Sequence, residues 1–241
     1  MPDTRAPRVQ PVGSPPPHPT GLVLVLHGGQ ARSHGRAHAL RPAYLRMLPF
    51  ARVLASAGRP HGIAVGLLRY RYRGWNGADR DALADLEWAM EQHHRRHPAV
   101  PVVLVGHSMG GRAALLAPAG PPGSRVRAVC ALAPWLVDTD PVEQLAGRTV
   151  LIAHGDRDRL TDPAESYDYA VRAREVTDRT CRFEVRGDGH ALLRRHRDWS
   201  SVVRRFVLGE LGVEPVDPEI AAALREPTPD GLRAPLAAAP R

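Results

Sequence analysis

A serine in a tight turn is the residue of this chain best placed to do chemistry. Ser108 lies at the centre of Gly106–Gly110, which reads G-H-S-M-G, between the β-branched run Val100–Val105 and an Ala/Leu-rich run. A strand, a sharp turn and a helix in that order strain the serine backbone and push its hydroxyl clear of the sheet. The helix also directs free N–H groups toward it. The pattern favours a serine nucleophile, although the five residues alone also fit an ordinary turn.

Three further groups of residues follow predicted strands and could serve such a serine. A serine hydroxyl needs an imidazole within hydrogen-bond reach, and the imidazole needs a carboxylate that fixes its tautomer. Negative charge on an acyl oxygen needs two N–H donors, and the residue after the serine, Met109, supplies one of them. The candidate groups are His27-Gly28-Gly29, the pair Asp156 and Asp158, and Gly187-Asp188-Gly189-His190.

Alternating strand and helix patterns position these groups. The predicted strands are Leu22–Leu26, Ile63–Tyr70, Val100–Val105, Val126–Ala133, Thr149–Ala153 and Cys181–Val185. The predicted helices are Tyr44–Ala57, Asp79–His97, the run after Ser108, Pro163–Glu175 with Asp162 as its N-cap, and Ser200–Leu208. Strands separated by helices favour an α/β fold: a mostly parallel, twisted sheet of about six strands with helices on both faces. The carboxyl ends of such strands share one rim, where functional residues are expected.

Composition divides the 241-residue chain into three parts. Residues 1–20 are rich in proline and predict a flexible N-terminal segment. Residues 21–209 carry the alternating pattern and predict one sizeable α/β domain. Residues 210–241 are rich in proline and alanine and predict a loosely packed tail with at most a weak helix near Ile220–Leu224. Only about fifteen residues separate Ala133 from Thr149, too few for an inserted lid domain.

Charge and cysteine content bear on partners and compartment. The net charge is +8, and all 33 basic residues are arginines. Their scatter favours a coding bias over a nucleic-acid-binding face. Cys130 and Cys181 lie in predicted strands, and a strand between them in the sheet would hold them about 9–10 Å apart, too far for a disulfide. Free thiols, with no apolar signal core and no apolar run of about 18 residues, predict a cytoplasmic protein without a membrane span.

Taken together, the motifs resemble those of the α/β-hydrolase family over roughly residues 21–209. The resemblance is carried by H-G-G at 27–29, G-H-S-M-G-G at 106–111, H-G-D-R-D at 154–158 and G-D-G-H at 187–190. Candidate serine, aspartate and histidine residues follow one another in the family's chain order.

The resemblance implies a role for each of five residues. Ser108 would be the nucleophile, His190 the general base and then acid, and Asp158 the carboxylate that orients His190. The backbone N–H groups of Gly29 and Met109 would form the oxyanion hole. The family's acyl-enzyme mechanism uses neither a metal nor a cofactor.

The carboxylate and the second oxyanion donor each have competitors in the sequence. Asp156 competes with Asp158, although it could instead stabilise the loop as an Asx-turn. Some relatives take the carboxylate after the preceding strand, where Asp138 and Asp140 lie. Gln30 competes with Gly29, and because the donor is a backbone group, the side chains cannot decide between them.

A substrate pocket has weaker candidates. Gln30, Trp75 and Trp135 follow strand ends and could line it, while the two aromatic side chains fit the edge of the core equally well. Arg32 and Arg36 follow the oxyanion loop and could contact an acidic substrate, or they could be ordinary solvated arginines.

Histidines at two other places are interpreted as structural and not as catalytic or metal-binding. His107, inside the turn, is expected to pack against the sheet. His93 and His97 are spaced as metal ligands on one helical face, but no carboxylate or thiol completes a site, so no metal is expected.

The resemblance therefore implies a serine hydrolase that cleaves small-molecule carboxylic esters or thioesters. An acyltransferase or perhydrolase would use the same triad, and a non-catalytic binding protein on a hydrolase fold is a further alternative. Neither a nucleic acid nor a membrane is expected as a partner, and the oligomeric state stays open.

Overall fold

The computed structural model describes residues 6–117 and 125–239, in which strands and helices alternate. The strands are β1 (Arg8–Pro11), β2 (Gly21–Leu26), β3 (Ile63–Arg69), β4 (Val102–His107), β5 (Val126–Leu132), β6 (Thr149–Gly155), β7 (Thr180–Val185) and β8 (Ala234–Pro235). The α-helices are α1 (Pro42–Gly58), α2 (Asp81–Arg96), α3 (Met109–Leu115), α4 (Pro163–Val176), α5 (His196–Glu210) and α6 (Pro218–Arg225).

The strands form one sheet in the order β1-β3-β2-β4-β5-β6-β7-β8. β1 pairs antiparallel with β3, and all other neighbours are parallel. This confirms the predicted α/β class with a mostly parallel sheet, although the sheet has eight strands instead of about six because β1 and β8 add one at each edge. The carboxyl ends of β2, β4, β6 and β7 therefore lie at one rim, and the loops that follow them carry the candidate functional residues.

Helices bury both faces of this sheet. In β2, Leu24 packs into the layer that contains α2, α3 and α4, whereas Val25 packs into the layer that contains α1, α5 and α6. Successive side chains of a strand point to opposite faces, so a strand covered on both sides must be apolar at every position. This explains why the central strands read as continuous Val/Leu runs.

Both ends of the chain contain ordered elements that correct the expectation of a flexible segment and a loose tail. Arg8–Pro11 pair with β3, and near the other end α6 is followed by β8, which pairs with β7. Asp217 caps α6 by accepting hydrogen bonds from the backbone of Glu219 and Ile220. Short edge strands tolerate proline and carry little alternation, so neither β1 nor β8 has a clear sequence signature. Residues 1–5 and 240–241 of these segments lie outside the described part.

The connection between β5 and β6 contains a single 3-10 turn, Glu143–Leu145, and no inserted domain. The expectation of a lidless rim is therefore confirmed. None of the described helices combines the length and apolar character needed to cross a membrane.

The two cysteines are free and buried. Leu151 of β6 pairs with Cys130 on one side and with Cys181 on the other. A strand therefore separates the two thiols, the arrangement for which the sequence predicts no disulfide.

Candidate active site

The turn between β4 and α3 holds Ser108 in strained backbone. Ser108 has φ 55° and ψ −119°, a region that non-glycine residues rarely adopt. Its N–H donates to the Leu132 carbonyl at 3.0 Å, which ties the turn to β5. A Cβ on Gly106 would lie 2.2 Å from the Gly110 carbonyl oxygen, so only glycine permits this close approach of strand and helix. The local geometry is that of a nucleophile elbow with Ser108 at its apex.

The loops after β6 and β7 bring an imidazole and a carboxylate together. His190 Nδ1 lies 2.8 Å from Asp158 Oδ2. An ionised carboxylate only accepts hydrogen bonds, so Nδ1 carries the proton and Nε2 of the neutral ring keeps a free lone pair. The side chain of Asp158 is fully shielded from solvent, while that of His190 is 16% exposed. The ring can thus meet a substrate while the carboxylate stays inside.

Hydrogen bonds hold Asp158 in its ionised form. The Thr161 hydroxyl donates to Oδ2 at 2.9 Å, and the backbone N–H groups of Leu160 and Thr161 donate to Oδ1 at 2.8 and 3.0 Å. Burial alone would raise the pKa of Asp158, but hydrogen bonds from His154, His190 and these backbone groups hold it well below its usual range. The carboxylate therefore remains charged where an imidazolium would need it.

His154 is a site residue whose role the sequence analysis did not identify. Its Nε2 lies 3.3 Å from Asp158 Oδ2, on a side chain that is itself fully buried. Because an ionised carboxylate only accepts hydrogen bonds, this contact places the ring proton of His154 on Nε2. Its Nδ1 lies 2.8 Å from Ser166 Oγ, which also accepts a hydrogen bond from Arg182 Nε at 3.1 Å. Asp158 thus lies between two imidazoles, a placement that the H-G-D-R-D spacing alone does not reveal.

His107, the residue before Ser108, ties the elbow to the loop that carries His190. Its Nε2 donates to the His190 carbonyl at 2.9 Å, and the two ring centroids lie 4.7 Å apart. Burial, followed by the charges of His190 and Arg46, lowers the pKa of His107 to about 3. A neutral His107 can fix the backbone of His190 without opposing a positive charge on that ring.

The loop after β2 presents backbone to the elbow. The N–H of Gln30 donates to the Arg73 carbonyl at 2.8 Å, whereas the N–H of Gly29 has no partner in the described part of the chain. A Cβ on Gly29 would lie 2.3 Å from Met109 Cε, so this loop lies directly against the start of α3. His27 Nδ1 donates to the Gly28 carbonyl at 2.7 Å and braces the loop. Of the two competing donors, the geometry favours Gly29.

Two of the competing carboxylates are engaged elsewhere. Asp156 Oδ1 accepts a hydrogen bond from the Gly187 N–H at 2.6 Å, and so joins the loops after β6 and β7. Buried Asp140 accepts from Arg112 Nη2 at 2.7 Å and from the backbone of Val137 at 3.1 Å. Asp158 is the carboxylate that the structure places on His190.

The pocket candidates separate into two environments. Gln30 lines a cavity of about 190 Å³ together with Gly28 and Gly29 of the loop after β2. Trp75 is 4% exposed, and its ring and that of Trp135 flank the Arg112 guanidinium at 4.5 and 4.6 Å from their centroids. Trp75 therefore belongs to the edge of the hydrophobic core, and Trp135 is its partly exposed neighbour.

Comparison with known protein families identifies the chain. The family model described as serine aminopeptidase, S33 matches residues 17–149, more than half of the sequence. The chain belongs to this family of α/β-hydrolases. The resemblance inferred from the motifs is thereby confirmed. A comparison with curated proteins found no match.

Solved structures show the same fold for this hydrolase. A thermophilic esterase from Thermogutta terrifontis, Est2 with bound butyrate, is 17% identical and superposes with a TM-score of 0.63 over 88% of this chain and 91% of its own. Est1E from Butyrivibrio proteoclasticus is 16% identical, with a TM-score of 0.58 over 86% and 94% of the two chains. At this level of identity the likeness establishes the architecture.

Proposed function

We propose that this hydrolase cleaves carboxylic esters or thioesters through an acyl-enzyme on Ser108. The observation that carries the proposal is the 2.8 Å contact between His190 Nδ1 and the buried, ionised Asp158. This contact places the proton of His190 on Nδ1 and leaves Nε2 free to act as a general base. His107 connects the loop that carries His190 to the strained turn at Ser108. The triad order and the family assignment point to the same chemistry.

In the proposed reaction, His190 Nε2 accepts the Ser108 proton as Oγ attacks the acyl carbonyl carbon. The N–H groups of Gly29 and Met109 hydrogen-bond to the oxygen that becomes negative, while Asp158 stabilises the imidazolium. The carbonyl re-forms, the bond to the alcohol or thiol breaks, and His190 returns the proton to the leaving group. Water then attacks the acyl-enzyme by the same steps and frees Ser108.

The short connection between β5 and β6 supports water as the second nucleophile. With no inserted domain over the rim, nothing in that connection screens the acyl-enzyme from solvent. Hydrolysis is therefore favoured over transfer to another acceptor, which would require water to be excluded.

Short acyl groups are the proposed substrates. The connection between β5 and β6 holds only one 3-10 turn, so nothing in it encloses a long acyl chain. Butyrate, named as bound in the Thermogutta esterase, is a group of the size that we propose here.

The test is a panel of p-nitrophenyl esters from acetate to decanoate, with matched thioesters and an aminoacyl p-nitroanilide for the family's aminopeptidase name. We expect the highest kcat/KM on short esters and a loss of about a thousandfold or more in Ser108→Ala. Ser200→Ala, on α5, serves as the control and should keep full activity. If Ser108→Ala retains the wild-type rate, the proposal is wrong.

A further inference from the structure

Four arginines meet at the β1–β3 edge of the sheet. Arg8, Arg36, Arg69 and Arg71 line a cavity of about 160 Å³, together with Tyr70 and two alanines. We call this the arginine cavity. Of these four arginines, only Arg36 could be singled out from the sequence, as a possible contact for an acidic substrate. The fold brings the other three to it.

Backbone pairing brings these side chains together. Arg8 of β1 lies directly opposite Arg69 of β3 in the antiparallel ladder, and Arg36 is held by an antiparallel bridge to Tyr72. Like charges directly opposite each other destabilise a pair of strands. The fold therefore maintains an electrostatically unfavourable pair at this edge, which a bound anion would relieve.

Most of this positive charge has no counter-charge in the part of the chain that the structure describes. Arg71 forms ion pairs with Asp81, at 3.3 Å, and with Asp85. Arg8, Arg36 and Arg69 have no acidic partner in residues 6–117 or 125–239. Because a guanidinium stays protonated at physiological pH, the cavity concentrates three positive charges that no acidic residue within these ranges offsets.

We propose that the arginine cavity binds the phosphoryl group of a phosphate or phosphate monoester. Planar guanidinium groups match phosphate oxygens in pairs of hydrogen bonds. A phosphate monoester carries a charge of about −1.5 to −2 at neutral pH, which suits several unpaired arginines better than a single carboxylate does. The volume fits a head group rather than a whole drug-sized ligand. This proposal does not depend on Ser108 being the nucleophile.

Isothermal titration calorimetry of the full chain tests the site, with inorganic phosphate and phenyl phosphate as separate probes at low, constant chloride. We expect both to bind, and Arg36→Gln and Arg69→Gln each to weaken binding by about tenfold or more. Arg225→Gln is the matched control, because Arg225 is exposed on α6 near the opposite edge of the sheet. It should keep the wild-type affinity. If only phenyl phosphate binds, the site is specific for phosphate monoesters. If both probes bind, the site recognises the phosphoryl group itself.

A melting experiment adds a readout that loss of folding cannot imitate. Arg8→Gln removes the like-charge pair, so it should melt no lower than the wild type without phosphate, yet gain no stability when phosphate is added. The wild type should gain stability under the same conditions. Absence of binding by either probe, or an equal loss of affinity in Arg225→Gln, would overturn the proposal.

Discussion

Two buried histidines predict that this hydrolase loses stability in mild acid. Burial, opposed by the hydrogen bond to Gly28, lowers the pKa of His27 from 6.5 to about 4. Burial and neighbouring positive charge lower the pKa of His107 from 6.5 to about 3. As the pH falls below 6.5, the unfolded chain binds protons at these positions and the native state does not. Stability therefore falls with pH until the folded pKa values are reached.

The magnitude follows from the same pKa values. Between pH 7 and pH 5 each histidine removes about 2 kcal/mol from the free energy of unfolding, so the pair removes about 4 kcal/mol. Urea denaturation at pH 7, 6 and 5 measures this slope in the wild type and in His27→Asn, which keeps a donor for the Gly28 carbonyl. Between pH 7 and pH 5, we expect the free energy of unfolding to fall by about 2 kcal/mol less in His27→Asn than in the wild type, because one of the two histidine contributions is gone. An unchanged slope in His27→Asn would refute the reasoning.

Three further substitutions, the first with a matched control variant, test other features of the site and the core. Asp158→Asn should lower kcat by about 10³- to 10⁴-fold, because His190 loses the carboxylate that sets its tautomer and stabilises its positive charge. The control Asp156→Asn can still accept a hydrogen bond from the Gly187 backbone and should stay near the wild-type rate. Equal rates in the two variants would contradict the assignment of Asp158. Gly29→Ala places a methyl group against Met109 and should reduce kcat about 10²- to 10³-fold with a smaller change in KM, and normal kcat would exclude this loop as an oxyanion donor. Asp140→Asn should cost about 3 kcal/mol in urea denaturation by leaving Arg112 buried and unpaired, and a loss below 1 kcal/mol would show that the pair contributes little.

The local part of the site could be predicted from the sequence. The β-branched run before Gly106–Gly110 and the Ala/Leu run after it specify a strand, a turn and a helix within a few residues of one another. The strain at Ser108 follows from that order, because a strand can pass into a helix at so short a turn only with unusual backbone angles. Asp162 likewise caps α4 at the position that the sequence indicated.

Features that depend on long-range pairing could not be read from the chain. Arg8 and Arg69 are far apart in sequence, and only the register of a four-residue edge strand places them opposite each other. The choice of Gly29 over Gln30 depends on the carbonyl of Arg73, which lies in a different loop. The contact between His154 and Asp158 likewise depends on how the loop after β6 folds back.

Mass spectrometry of the protein after treatment with a fluorophosphonate tests the central claim most directly. The account predicts one covalent adduct, located on the peptide that contains Ser108, with labelling strongly slowed in His190→Ala and absent in Ser108→Ala. A folded wild-type protein that takes up no adduct, or one that carries it on another serine, would contradict the account.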